Sequence, residues 1–292
     1  MDFRGAMPAL ITPFTQDNRI DEAGFRENIG HAIAHGVSGL VPCGTTGESA
    51  TMTIDEHKQL IDIAVDASTV PVIAGTGSNN TEEAIALTKH AADAGVDAAL
   101  LITPYYNKPN RNGIIAHFDA ITSAVDLPVI MYNIKSRTGI NLDSELLAEL
   151  AENPSIIGVK EASGDLEQVS RIIELTQDLE FIVISGDDSL TLPIMSLGGV
   201  GVISVIANIV PEATTQLADA ILKNDYDNAR RLHYQLAPLV RAMFIETNPI
   251  PVKTAANMIG LAAGHLRLPL APMGVQNEQK LKNALIAAGL LS

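Results

Sequence analysis

Eight times along the chain a short apolar run gives way to a segment patterned as a helix, and this alternation constrains the fold more than any other feature. The runs are AMPALITPF (6–14), SGLVPCG (38–44), VPVIAG (70–75), DAALLITP (97–104), LPVIMYN (127–133), IIGVKEA (156–162), EFIVISG (180–186) and GVGVISV (199–205). Each is short enough to read as a strand buried on both faces. Between them lie EAGFRENIGHAIAHG (22–36), IDEHKQLIDIAVDAS (54–68), TEEAIALTKHAADAG (81–95) and SELLAELAENP (144–154), with apolar residues at helical spacing. Thr81 ahead of Glu82 and Glu83 reads as a helix start, and Gly36 and Gly95 as C-terminal stops. Eight parallel βα units in about 210 residues predict an α/β fold, a (β/α)8 barrel of the usual size. The barrel is expected over residues 1–224. Residues 225–292, with YDNARRLHYQLAPLVRAMF and NEQKLKNALIAAGLL, form a helical C-terminal extension packed on it, and ETNPIPVK (246–253) is its Pro-rich joint.

At 292 residues and 47% apolar content the chain can bury a large core. A net charge of −15 with no cluster of Lys and Arg speaks against nucleic acid as a partner. No apolar run reaches the roughly 20 residues of a membrane span, and MDFRGAMPAL lacks the pattern of a secretory leader, so the expected location is the cytoplasm. The single cysteine, Cys43, excludes an internal disulfide and a CxxC metal knuckle.

In such a barrel the chemistry sits where strands end. Lys58, Lys89, Lys223, Lys280 and Lys282 fall on helical patterns, and Lys108 and Lys135 in loops. Lys253 lies outside the eightfold pattern and is expected to start a helix. Lys160 alone ends a predicted strand. Glu161 follows it, but successive strand residues face opposite ways, so the two head groups diverge. A buried amine is either held in an ion pair or kept neutral as a nucleophile for a carbonyl. Tyr132, ending the neighbouring run, is a candidate proton shuttle or an aromatic filler. Arg137 offers a fork for a carboxylate or is a solvated surface group. GTTGES (44–49) could hold a carboxylate through amides and hydroxyls, or be an ordinary turn; it is not a Walker loop. Asp187 and Asp188 lack histidines at ligand spacing, and no metal or other cofactor is expected.

GTTGES, TPYYN, YNIKSRTG, GVKEASGD, SGDD, GVISV and NPIPVK, taken in order, resemble the dihydrodipicolinate synthase family of the lysine-dependent pyruvate aldolases and lyases. The resemblance spans essentially the whole chain. It implies condensation of pyruvate with L-aspartate semialdehyde to 4-hydroxy-tetrahydrodipicolinate, on the route to diaminopimelate and lysine. Carried over, Lys160 forms the pyruvate Schiff base, and Thr45, Tyr132 and Tyr106 form a proton relay, with Tyr106 reaching across a subunit interface. Thr46 holds the pyruvate carboxylate, Arg137 holds that of the semialdehyde, and Gly186 with the carbonyl of Ile203 lines the site. A homo-oligomer is implied, a tetramer built from dimers. Feedback by lysine is implied at Ser49, Ala50, His57, Asn79, Glu83 and Tyr105, with His57 otherwise a solvated helical residue. The family usually has proline where Lys135 stands and often threonine where Ile206 stands, and lysine-sensitive bacterial relatives often carry histidine where Ile54 stands. Related barrels such as N-acetylneuraminate lyase share the lysine and the tyrosine and form the alternative within the superfamily. A non-catalytic acidic barrel used as a scaffold is the alternative from another class.

Overall fold

A computed structural model describes residues 3–292. Seven strands make one parallel sheet: β1 (Gly5–Pro8), β2 (Ile73–Gly75), β3 (Ala98–Ile102), β4 (Val129–Asn133), β5 (Ile156–Glu161), β6 (Ile182–Ser185) and β7 (Gly201–Ser204), in the order β1-β7-β6-β5-β4-β3-β2. The second apolar run, expected as a full strand, provides only two bridging residues, and these close the ring. Val41 bridges to Ala9 beyond β1, and Leu40 bridges to Val72 ahead of β2. The run stays short for local reasons: Pro42 has no N–H to give a ladder, and Cys43 takes φ +58, outside the extended region. Closure leaves neither edge of the sheet open.

Helices α1 (Glu22–Ala34), α2 (Ile54–Ala67), α3 (Thr81–Ala94), α4 (Arg111–Ala124), α5 (Lys135–Thr138), α6 (Ser144–Ala151), α7 (Leu166–Thr176), α8 (Thr191–Ser196) and α9 (Pro211–Leu222) follow the strand positions. The extension contributes α10 (Tyr226–Met243), α11 (Ile250–Met258) and α12 (Val275–Ala287). Most starts are capped as their sequence suggests: Thr53 and Glu56 form a reciprocal capping box on α2, and Asp143 and Asp165 cap α6 and α7. Helix α3 departs from expectation. Its cap is Asn80, whose side chain accepts from the Glu82 N–H, while Thr81 is already helical and its hydroxyl meets His117 Nδ1 at 3.0 Å. The joint is also shorter than ETNPIPVK suggested. The chain is already helical at Ile250, so Lys253 lies inside α11, and Lys135 likewise opens a helix, α5.

Side chains alternate between two cores as the two-residue period of a strand requires. Leu101, Met131, Val159 and Val183 face outward into the layer shared with the helices. Met7, Val41, Leu100, Ile130, Tyr132, Ile184 and Ile203 fill the barrel interior. A third cluster joins β7 and α9 to α10, α11 and α12, so the extension is fastened by burial rather than tethered by a linker. Among the described residues no helix is long and apolar enough to cross a membrane.

Candidate active site

Register decides where Lys160 points. Tyr132 on β4 pairs with Lys160 on β5, which pairs with Ile184 on β6, and both neighbours belong to the interior core. Lys160 therefore projects into the barrel. Glu161, one residue on, faces the helix layer, where Asn133 Nδ2 and the Ser163 N–H donate to its carboxylate at 3.0 and 2.6 Å. No ion pair joins the two, as strand parity predicts.

Lys160 is 6% exposed, with Nζ 4.2 Å from the centroid of the Tyr132 ring. Burial pushes its amine down to about 7; the Asp188 carboxylate opposes that shift and the Arg137 guanidinium adds to it. The same burial pushes the Tyr132 phenol up to about 12, against the Arg137 charge and a hydrogen bond with Thr45. The phenol is thus protonated near neutral pH rather than a standing phenolate. Gly186 leaves space for the lysine stem: a Cβ there would lie 2.9 Å from Ala162 Cβ and 3.1 Å from both Cγ and Cε of Lys160. Ile203 lies buried on the interior face.

Asp188 was considered from the sequence only as a metal ligand, and its real partners are internal. The Ser204 hydroxyl donates to it at 2.5 Å, and the N–H groups of Val205 and Ile206 donate at 2.9 and 3.2 Å. Burial still raises its carboxyl to about 6. It is the acid group that most raises the lysine's proton affinity.

The turn after the closing segment carries Thr45, half-buried, and Thr46, buried. Asn248 Nδ2 donates to Thr46 Oγ1 at 2.9 Å, and Arg137 Nη2 donates to the Asn248 carbonyl at 2.8 Å. One residue ahead of α11 thus touches both positions assigned to carboxylates. Arg137 is exposed on α5. In the sequence NPIPVK reads as part of a Pro-rich joint and as one motif of the family resemblance, and Asn248's contact with Thr46, 202 residues away, lies beyond any local pattern.

A cavity of about 420 Å³ has Thr45 and Arg137 in its wall, and Lys160 is not among its lining residues. Ser49, Ala50, His57, Glu83 and Tyr105 line the same cavity, with Ile54 beside them. Asn79 is one step removed, donating to the Tyr105 carbonyl at 3.2 Å. His57 is buried, so the alternative of a solvated helical residue does not hold: Nε2 lies 2.6 Å from the Gly75 carbonyl, and burial depresses its ring pKa. Glu83 accepts from Ser78 Oγ at 2.5 Å. Tyr106 is not brought to this chain's own amine. It stands 89% exposed at φ +68, an uncommon conformation for a bulky residue.

A closed parallel barrel that buries an amine of lowered proton affinity beside a phenol fits a class: barrel enzymes that activate a carbonyl through a lysine. Within it, the chain belongs to the dihydrodipicolinate synthetase family, whose sequence profile matches residues 2–288. It is 60% identical over 289 residues to the 4-hydroxy-tetrahydrodipicolinate synthase of Methanosarcina mazei, covering 99% of each chain. Two solved structures superimpose closely. The chloride-inhibited dihydrodipicolinate synthase of Acinetobacter baumannii, complexed with pyruvate, is 41% identical with a TM-score of 0.97, over 99% of this chain and all of that one (100%). The dihydrodipicolinate synthase of Cyanidioschyzon merolae with lysine bound is 42% identical with a TM-score of 0.96, covering 99% of both chains.

Proposed function

We propose that this chain is a lyase that condenses pyruvate with L-aspartate semialdehyde to 4-hydroxy-tetrahydrodipicolinate, through an imine on Lys160. The observation that carries the role of Lys160 is its burial in register with Tyr132, with the amine brought down to about 7. The neutral amine attacks the pyruvate ketone, and loss of water from the carbinolamine gives the imine. Tyr132 and Thr45 carry the protons for that dehydration. A proton then leaves the pyruvate methyl, and the resulting enamine carbon bonds to the aldehyde carbon of the semialdehyde. The amino group of the second substrate attacks the imine carbon, closing the ring and releasing Lys160.

Thr46 is assigned to the pyruvate carboxylate and Arg137 to that of the semialdehyde, with Gly186 and the Ile203 carbonyl lining the space between. Tyr106 completes the relay from a neighbouring copy, and its exposure and strained φ fit a residue whose contacts are made outside its own chain. The assembly is read as a tetramer built from dimers, working in the cytoplasm, with residues 1–224 as barrel and 225–292 as its extension. Ser49, Ala50, His57, Asn79, Glu83 and Tyr105 are read as a feedback site for lysine, in keeping with the lysine-bound relative. The lyase alternative has little support beside the synthase named at 60% identity.

Borohydride reduction in the presence of pyruvate, followed by intact-mass and peptide mapping, tests the chemistry. One pyruvate-derived adduct per chain is expected on Lys160, and none in Lys160→Arg, whose guanidinium stays protonated. An adduct on Lys253 would overturn the assignment. Product formation with L-aspartate semialdehyde but not with N-acetylmannosamine separates synthase from lyase.

A further inference from the structure

The turn that carries Thr45 and Thr46 is held by more than its own backbone. It lies outside the sheet, is closed by backbone bonds to Gly44 O from Gly47 N at 3.1 Å and Ser49 N at 3.4 Å, accepts at Gly47 O from Thr12 Oγ1 at 2.8 Å, and is flanked by Cys43 and Glu48, both at positive φ. Its one charged anchor is the side chain of Glu48. The Glu48 carboxylate, fully buried, accepts from Lys253 Nζ at 2.6 Å and from the Arg267 N–H at 3.0 Å.

Lys253 is itself 1% exposed on α11, donates also to the His265 carbonyl at 2.6 Å, and stands 4.4 Å over the Phe14 ring. Stability alone is a poor reason for such a pair, because a buried ion pair often gains nothing over apolar side chains of the same volume. Its geometric effect is specific. Glu48 N–H donates to the Thr45 carbonyl at 3.1 Å, so a displacement of Glu48 is passed to Thr45. Asn248, just ahead of the same helix, grips Thr46 in parallel.

We propose that Lys253 and Glu48 are positioning residues: their ion pair locks the 44–48 turn to α11 and thereby fixes where the Thr45 hydroxyl meets the Tyr132 phenol. The helical extension is then part of the catalytic apparatus, since it supplies the fixed end of the clamp. The inference rests on the relay reading of Thr45 given above.

The test uses Lys253→Met, Glu48→Gln, Thr45→Val and the double variant Thr45→Val/Lys253→Met in the full chain. The borohydride end point with pyruvate counts competent sites, and turnover is expressed per competent site, so that unfolded protein does not enter. Lys253→Met should lose about ten- to a hundredfold in kcat per site well below its melting temperature, since small misplacements of a catalytic group cost that much. Glu48→Gln, which preserves shape and the contact with the Arg267 N–H, should lose less. The double variant should be no slower than Thr45→Val alone, because Lys253 acts through Thr45. Unchanged per-site turnover in Lys253→Met, or losses that multiply in the double variant, would overturn the clamp. If Lys253→Met does not fold, undiminished turnover in Glu48→Gln overturns it equally. Full activity in Thr45→Val instead sinks the relay reading, a different failure from an impaired Thr45→Val beside an unimpaired Lys253→Met.

Discussion

Asp188 bears on the charge of Lys160. The carboxylate raises the proton affinity of the amine while burial lowers it, and burial wins, leaving the amine near 7. Since only the neutral amine attacks, the rate of imine formation with pyruvate should rise about tenfold per pH unit below that value and level off above it. Asp188→Asn removes the one negative charge that opposes burial, so the midpoint should move to lower pH. Stopped-flow imine formation across pH 5–9 reads it directly, and a midpoint that stays or rises would show that Asp188 does not act on the amine. Tyr132 contributes nothing to this profile near neutrality, because burial holds its phenol at about 12.

At the scale of elements, the C-terminal ends of β5 and β6 must pass the lysine stem between them, and Gly186 makes that possible. Gly186→Ala would push a Cβ against Ala162 and the stem of Lys160 and should cost about 1–3 kcal/mol in stability from overpacking. The same variant should trap pyruvate more slowly, because the stem must shift to relieve the contact. Denaturant melts together with trapping rates check this; a variant as stable and as fast as the parent would mean the space at 186 is spare. Much of this element scale was legible. Strand parity alone sent Lys160 and Glu161 to opposite faces, and Tyr132 followed from the neighbouring run; which face was inward came from the register. The second strand was overread, because an apolar run says nothing of the backbone break that Pro42 and Cys43 impose. Asn80 was missed as the cap of α3 because Thr81 has the same chemistry one residue later.

For the whole molecule, the exposed Tyr106 is the residue that one chain leaves unexplained. If it serves the neighbour's site, Lys160→Arg and Tyr106→Phe, each inactive alone, should complement when refolded as a mixture. A mixed dimer then holds one intact site of two, so random pairing restores roughly a quarter of wild-type activity. No recovery in mixtures shown to exchange subunits would place Tyr106 elsewhere. The cavity lined by Thr45 and Arg137 is shared with Ser49, His57 and Glu83, so an effector there lies close to Thr45 and Arg137. Titration with L-lysine should lower activity, and Glu83→Ala should relieve that inhibition while turnover without lysine is little changed. Activity flat through millimolar lysine would leave Glu83 only its bond with Ser78.

The sequence by itself determined the order of the elements, the parallel barrel, and that neighbouring strand residues such as Lys160 and Glu161 face opposite ways, because these follow from periodicities of two and 3.6 residues that neighbours in the chain enforce. It set Lys160 at a strand end and Lys253 outside the eightfold pattern, but it could not give the partners of either. The tertiary structure supplies them. Lys253 is held in an ion pair with a carboxylate 205 residues away in sequence, whereas Lys160 stands over a phenol ring; desolvation lowers both amines, against Glu48 in one case and Asp188 in the other. The closing of the ring by Leu40 and Val41, and the bridge Asn248 makes between Thr46 and Arg137, were settled at the same level. Desolvation and long-range pairing depend on what packs nearby, and that is a property of the folded chain rather than of any segment of it.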